Sequence, residues 1–492
     1  MSEHYTLRAT CIGLLMAALV SGCVGTAEKP KQAPEQPENG QGSLLSLAEL
    51  DRTPPSVRQL QVQTWTTRSG SRVLFVEARQ LPMFDLRLTF AAGSSQDQAR
   101  PGIALLTNAM LNEGVAGKDV GAIAAGFEGL GAEFSNGAYR DMAVASLRSL
   151  SAVEKRQPAL RLFSQVVGQP TLPADSLARI KNQLLAGFDY QKQDPSHLAS
   201  QRLFERLYGQ HPYAHPSEGN PQSVTSITRE QMRQFHQKAY AAGNAVIALV
   251  GDLSRDEAQA IAEQVSSALP KGPALAEVAQ PQRPSAGASH IEFPSKQTQI
   301  LLAELGIDRN DPDYPALAMG SQILGGGSFG TRLMTEVREK RGLTYGIYSG
   351  FTPMQVRGPF TISLQTRAEL SEGTLTLVKD LLRDYLKTGP TQQELDEAKR
   401  ELAGSFPLST ASNESIVGQL GAIGFYGLPL SFLEDFMQQS QNLTVEQVRT
   451  AMNKHLDADQ LVIVTVGPTV AQQPLPPPTD KPVEAPTGVP EH

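Results

Sequence analysis

The chain has almost no cysteine. Two of its 492 residues are Cys, and both, Cys11 and Cys23, fall within the first two dozen positions. The body therefore holds no disulfide framework, zinc ribbon or thiol nucleophile. Tryptophan is as scarce. Trp65 stands alone and forms no aromatic platform for a nucleic acid by itself. Positive charge is also short: 43 Lys and Arg face 50 Asp and Glu, a net charge of −7, and no basic stripe stands out. Nucleic acid is not expected as a partner. What is present suits packed cores, with 40% apolar and 19% charged residues. The length exceeds one ordinary domain and suggests two to four.

The first residues read MSEHYTLRATCIGLLMAALVSGC. The apolar run from about Cys11 to Val20 falls short of the roughly 20 residues a membrane-spanning helix needs, and has the size of a signal-peptide core. The ending Val20-Ser21-Gly22-Cys23 resembles a bacterial lipobox. That resemblance implies a signal peptide over 1–22 and acylation of Cys23 as the mature N-terminus. The alternative is an ordinary secretory signal cut nearby. Val24 and Gly25 follow, with no Asp, which by the sorting rules of lipoproteins implies the periplasmic face of the outer membrane. More than one acyl chain makes such an anchor stable. Residues 23–55 then read as the lipidated cysteine and a Pro-, Gln- and Glu-rich tether.

Two further breaker-rich stretches divide the rest. Residues 270–289 carry Pro270, Pro273, Pro281 and Pro284 and read as a linker, and 469–492 as a Pro-rich disordered tail. Between them lie two similar parts, 56–269 and 290–468. DLRLTF (85–90), a turn and the helix-like IALLTNAML in the first match TQILLAEL (298–305), a turn and ALAMGSQIL in the second. AVIALVGDLS (245–254) matches QLVIVTVGPT (460–469). The offset, roughly 215 residues, is domain-sized. Strand-like VASLRSL (144–150) and helix-like EGTLTLVKDLLRDYLKT lie between such landmarks. The expected class is α+β, two homologous domains each with a mostly antiparallel sheet and helices on one face.

The most informative stretch is LGGGSFGTRLMTEVREKRGLTYGIYSGF, 324–351. Gly325–Gly327 form a flexible turn, a helical pattern places Leu333 and Val337 on one face, and Gly342 ends it. LTYGIYSGF then alternates as a strand. No Gly-Lys-Ser/Thr follows the glycines, so they are not a nucleotide loop. This stretch closely resembles the C-terminal domain of the pitrilysin and mitochondrial-processing-peptidase family of zinc peptidases, through Thr331-Arg332-Leu333, Arg338-Glu339 and Gly342-Leu343-Thr344-Tyr345. HPYAHPSEG (211–219) and SITREQMRQFHQKAYAAGNAVIALVGD (226–252) agree, and the resemblance spans roughly 56–468. It implies a duplicated fold forming half of a clam-shell chamber.

The departure from that family decides the expected function. Active members carry His-x-x-Glu-His on a helix, two His binding zinc and the Glu acting as base. The matching positions here are Leu105, Asn108 and Ala109. Leu and Ala have no donor atom and an amide is no base. The family's third ligand, a downstream Glu, would fall near Ala186 and Gly187, where Asp189 is the only acid of the segment. His211 and His215 are four apart, but Pro212 and Pro216 argue against a helix, and a turn and packing role is expected. His197, His236 and His455 sit on polar stretches and are expected to be solvated. Glu113, Glu128 and Glu133 are scattered without partners, and no Gly-x-Ser-x-Gly elbow occurs.

What the resemblance leaves intact is Arg338 and Tyr345. In the family such a pair reaches the scissile peptide: a guanidinium grips a carbonyl with forked hydrogen bonds, and a phenol donates to an oxygen gaining charge. The implied protein is a lipid-anchored, non-catalytic subunit that binds no metal and works with a zinc-bearing homologue on peptide or unfolded protein. A peptide-binding envelope scaffold with no peptidase partner is the alternative.

Overall fold

The computed structural model describes residues 59–327 and 330–479. Cys23, the leader and the expected tether up to residue 55 lie outside the described residues.

The first half opens with strands β1 (Gln63–Thr66), β2 (Arg72–Glu77) and β3 (Met83–Phe90), then helix α1 (Ile103–Ala109), the two-residue strands β4 (Gly114–Val115) and β5 (Lys118–Asp119), and α2 (Val120–Glu128). Strands β6 (Glu133–Ala138) and β7 (Ala143–Leu150) precede helices α3 (Val153–Gly168), α4 (Ala174–Gln191), α5 (Pro195–Tyr208), α6 (Pro221–Ser226) and α7 (Arg229–Ala239). Strand β8 (Ala245–Gly251) and α8 (Arg255–Ala268) close it. The second half runs β9 (Gly287–Glu292), β10 (Gln297–Leu305), α9 (Tyr314–Gly325), a π-helix (Met334–Glu339), β11 (Ile347–Phe351) and β12 (Pro359–Arg367). Helices α10 (Ser371–Thr388), α11 (Gln392–Ser405), α12 (Asn413–Tyr426), α13 (Phe432–Asn442) and α14 (Val445–His455) lead to β13 (Val462–Gly467).

The two sheets repeat one plan. The first has order β1-β2-β8-β3-β7-β6 and the second β11-β12-β10-β13-β9. Each has one parallel pair, β2 with β8 and β9 with β13, and is otherwise antiparallel. The duplication extends to capping: Thr228 and Gln231 form a capping box at the start of α7, and Thr444 and Gln447 form the same box on α14.

Period-two alternation sends the side chains of each strand to opposite faces of its sheet. On β3, Phe84, Leu86, Leu88 and Phe90 join Phe163, Val166 and Ile261 from the half's own helices. On β10, Ile300 and Leu302 meet Leu317, Val378 and Leu382 in the same way. Part of each opposite face is apolar too, and the other half covers that part. Helix α12 lays Ile416, Val417, Leu420 and Ile423 over Leu74, Val76, Ala248 and Val250 of the first sheet. Helix α5 lays Ala199, Leu203 and Leu207 over Leu301, Ala303, Val464 and Val466 of the second. Helices α5 and α12 hold equivalent places in the repeat, so the exchange is reciprocal. Gly424 makes the α12 contact close enough: a Cβ there would lie 2.4 Å from Val246 Cγ1. The expectation of helices on one face thus holds for each half's own helices, and the exchanged helix closes the other face.

Three boundary expectations change. The stretch 270–289 gives way to β9 at Gly287, and its first part is docked, with Ala242 N–H donating to Pro270 O at 2.9 Å and Gly243 N–H to Gly272 O at 3.1 Å. LTYGIYSGF is a strand only from Ile347. The tail expected to be disordered from 469 is held along 469–479, where Gln473 N–H donates to Glu369 O at 2.7 Å and Thr479 N–H to Lys340 O at 2.8 Å. Among the described residues, no helix is long and apolar enough to cross a membrane.

Candidate functional site

Helix α1, which the resemblance matches to a zinc-binding helix, is built for packing. Its start is held by Asp97, whose carboxylate accepts the N–H of Gly102 at 2.6 Å and of Ala104 at 2.9 Å. Burial pushes this carboxyl up to about 7, against the pull of those two amides and of Arg140. Leu105 and Ala109 are half-buried and offer no donor atom. Asn108 is buried, and its amide donates to Val144 O at 3.2 Å and the Tyr240 hydroxyl at 3.1 Å. Its polar head is already committed to the sheet and the core. Around the place of a third ligand, Gly187 faces open space, and Asp189 pairs with Lys192 at 2.8 Å on the surface. The residues present do not fit zinc at the motif positions.

The other candidates separate. Glu113, expected to lack a partner, is buried and accepts from Arg179 at 2.5 Å. His211 caps a short 3-10 turn through Tyr213 N–H at 3.1 Å, and its Nε2 lies 2.7 Å from Ala279 O, the turn and packing role expected of it. His236 is a correction. It is buried, stacked on Tyr240 at 5.0 Å and 2.7 Å from Val167 O, and burial lowers its pKa. His455 is likewise engaged, with Nε2 2.8 Å from Asp313. Asp311, Asp313 and His455 bring ligand-type atoms within 4.8 Å of one another, but Lys454 Nζ already neutralises Asp313 at 2.6 Å.

The second half gathers its chemistry at one place. The end of α9 passes so close to β11 that a Cβ on Gly325 would lie 2.8 Å from Ser349 Oγ. Arg332 then fastens the next segment, donating to both Glu394 oxygens at 2.7 and 2.8 Å and to Gly389 O at 2.9 Å. Arg332 is therefore structural, a bidentate tie to the start of α11. In the π-helix, Lys340 N–H bonds back to Thr335 O at 2.9 Å, a wider turn of a kind found often at functional sites. Glu336 binds Lys340 at 2.5 Å and Arg341 at 2.8 Å. Burial alone would raise its pKa; those two hydrogen bonds outweigh it and hold the carboxyl below its ordinary value.

Arg338 and Tyr345 meet here. The guanidinium carbon lies 4.9 Å from the centre of the Tyr345 ring, a cation–π contact. Tyr345 is 86% exposed, an unusual state for a large aromatic ring. It lines a cleft of about 650 Å³ with Tyr348, Ser196, Gln299, Ser363 and Gln365, and none of its lining residues is charged. The cleft opens beside α5, next to the edge strand β11. Uncharged hydrogen-bonding side chains and a free strand edge suit an extended main chain.

One buried polar site escaped sequence reading. The Asp141 carboxylate accepts the Tyr213 hydroxyl and, from the second half, Gln355 N–H at 2.8 Å and the Tyr426 hydroxyl at 3.4 Å. Beside it, Arg140 donates to Tyr213 O at 2.6 Å and His215 O at 3.0 Å and lies over Phe204. The only sequence signal was the adjacent charged pair Arg140-Asp141.

Comparison with known proteins agrees with this geometry. Residues 226–402 match the family model described as the peptidase M16 inactive domain. A crystal structure of a peptidase M16 inactive domain from Pseudomonas fluorescens is 73% identical, covers 85% of this chain and all of its own, and superposes with a TM-score of 0.83. A non-peptidase homolog, YmxG, of Helicobacter pylori is 28% identical over 404 residues, which is 80% of this chain and 91% of that protein. A Helicobacter pylori protease structure shares the fold at a TM-score of 0.76 and 18% identity, covering 83% of this chain and all of its own.

Proposed function

The chain belongs to the M16 peptidase family as a non-catalytic homologue, and from that premise we propose that it binds and positions peptide for a zinc-bearing family partner. The observation that carries the reading is the contrast between its two halves. The zinc-helix positions hold Leu105, Asn108 and Ala109, while Arg338 is stacked on Tyr345, which lines an uncharged cleft. In this reading the substrate lies extended along the cleft. Arg338 grips a backbone carbonyl with its fork of N–H donors. The Tyr345 phenol donates to an oxygen that gains charge as the bond breaks, and this chain contributes that stabilisation alone. Zinc and the base belong to the partner. We place the complex in the cell envelope, held to the periplasmic face of the outer membrane by lipid on Cys23.

The experiment is peptide cleavage by the purified chain, by a zinc-bearing family homologue from the same source, and by the mixture. Cleavage is expected only from the mixture. Arg338→Ala and Tyr345→Phe are each expected to lower its turnover at least ten-fold without releasing zinc. Cleavage by the chain alone would overturn the subunit reading. A mixture that binds peptide without cutting it would favour an envelope scaffold instead.

A further inference from the structure

The end of the chain is Pro-rich and by composition unsuited to packing, yet residues 469–479 are held at successive points. Thr469 donates its N–H and hydroxyl to the Glu292 carboxylate at 3.1 and 2.6 Å. The Gln472 side-chain oxygen accepts Glu372 N–H at 3.0 Å, and its amide donates to Ala368 O at 3.0 Å. That supplies the cap that α10 lacks from its own N-cap residue, Leu370. Gln473 N–H donates to Glu369 O at 2.7 Å. Leu475 packs on the second core over Gly373, where a Cβ would lie 2.9 Å from its Cδ2. Pro476, Pro477 and Pro478 then carry the chain stiffly onward. Thr479 ends the run, its N–H at 2.8 Å and its hydroxyl at 3.4 Å from the Lys340 carbonyl.

Lys340 is the C-cap of the π-helix. Its carbonyl is one of those a helix end leaves without an internal partner. Arg338 lies two residues before it and Tyr345 five after it. We propose that residues 469–479 are an intramolecular brace for the gripping site. The brace ties the outgoing end of the π-helix to the start of α10, and so fixes the segment on which Arg338 and Tyr345 are stacked. A π-helix is rare and is mostly a single turn, and here its last carbonyl is held by a bond from outside the segment. Thr479 is then a positioning residue. Its link to turnover rests on the reading of Arg338 and Tyr345 given above, but its link to local order does not.

The test uses the full-length protein. Thr479→Pro removes both donors and keeps an extended backbone; Thr479→Ser keeps both. In Thr479→Pro, amide exchange over residues 334–346 is expected to accelerate at least ten-fold, with the urea midpoint and the exchange of β3 unchanged. Thr479→Ser is expected to match the parent. In an active mixture with the zinc-bearing homologue, Thr479→Pro is expected to lower kcat several-fold and Thr479→Ser to leave it unchanged. Unchanged exchange in Thr479→Pro overturns the brace. Faster exchange with undiminished kcat in an active mixture overturns its role in positioning. If the parent mixture does not cleave, the proposed function fails, and the exchange arm still decides the brace.

Discussion

Replacing Asp141 with alanine is expected to destabilise both halves together. The carboxylate is buried and serves the Tyr213 hydroxyl and Gln355 N–H with short bonds, while the Tyr426 hydroxyl at 3.4 Å adds little. Alanine leaves two buried donors unmet, each costing about 1–3 kcal/mol. It also removes one of the acids near Arg140. Against this stands the relief of a buried carboxylate, whose pKa is raised chiefly by burial. The net loss is then about 3 kcal/mol. With an m-value on the order of 3 kcal/mol/M, the urea midpoint falls by about 1 M. Asp141→Asn keeps acceptor oxygen and should cost about 1 kcal/mol. Trp65 reports on the first half, since it packs against Phe75 with Arg255 3.4 Å over its ring. Far-UV circular dichroism reports on both halves. The two signals should move together in the parent and in each variant. A midpoint shift for Asp141→Ala below about 0.2 M, or a Trp65 transition separate from the dichroism, would refute the reasoning.

Two other outcomes follow from the packing and the charges. Gly424→Leu should cost at least about 3 kcal/mol in urea unfolding, because the added side chain meets Val246 and Leu74 where α12 lies on the first sheet; a cost under 1 kcal/mol would contradict the close contact. Asp97 titrates near 7 in the fold and near 3.9 unfolded. Its folded pKa is raised, so its contribution is present in full below about pH 4 and is lost as pH rises to about 7, a fall of up to about 4 kcal/mol. Urea midpoints from pH 4 to 8 should show that slope in the parent and a flatter one in Asp97→Asn; equal slopes would remove Asp97 as its source.

Much of the fold was legible because burial leaves its mark on composition. DLRLTF alternates as a strand does, TQILLAEL is an apolar run of strand length, and they sit at equivalent places in the two sheets. What covers an apolar face was not legible. Ile416, Leu420 and Ile423 read as a helix stripe whichever sheet lies beneath them. Tyr345 was assigned to a strand because LTYGIYSGF alternates. The Thr344 hydroxyl accepts Gly346 N–H at 3.1 Å and donates to Gly346 O at 2.8 Å, a local turn that keeps 343–346 out of the ladder. His236 lies in a polar stretch, yet it shares the buried face of its helix with Met232 and Ala239 and is stacked on Tyr240. The tail was misjudged from its prolines, since Gln472, Leu475 and Thr479 find partners that no local pattern announces. Arg338 and Tyr345 were singled out through motif resemblance, but their stacking on one another was not foreseen, and neither was the Asp141 junction, because its donors come from segments far apart in the chain.

The exchanged helices also set a schedule for biosynthesis. The face of the first sheet made by Leu74, Val76, Ala248 and Val250 is complete once β8 has left the ribosome. Its cover, α12, begins only at Asn413. Roughly 160 residues separate the two, which at 5–20 residues per second is about 8–30 s of synthesis. Throughout that interval a nascent chain carries an open apolar sheet surface of the kind that chaperones hold and that aggregates recruit. Helix α5, by contrast, is made before the sheet it covers, so the second half is born onto a waiting partner.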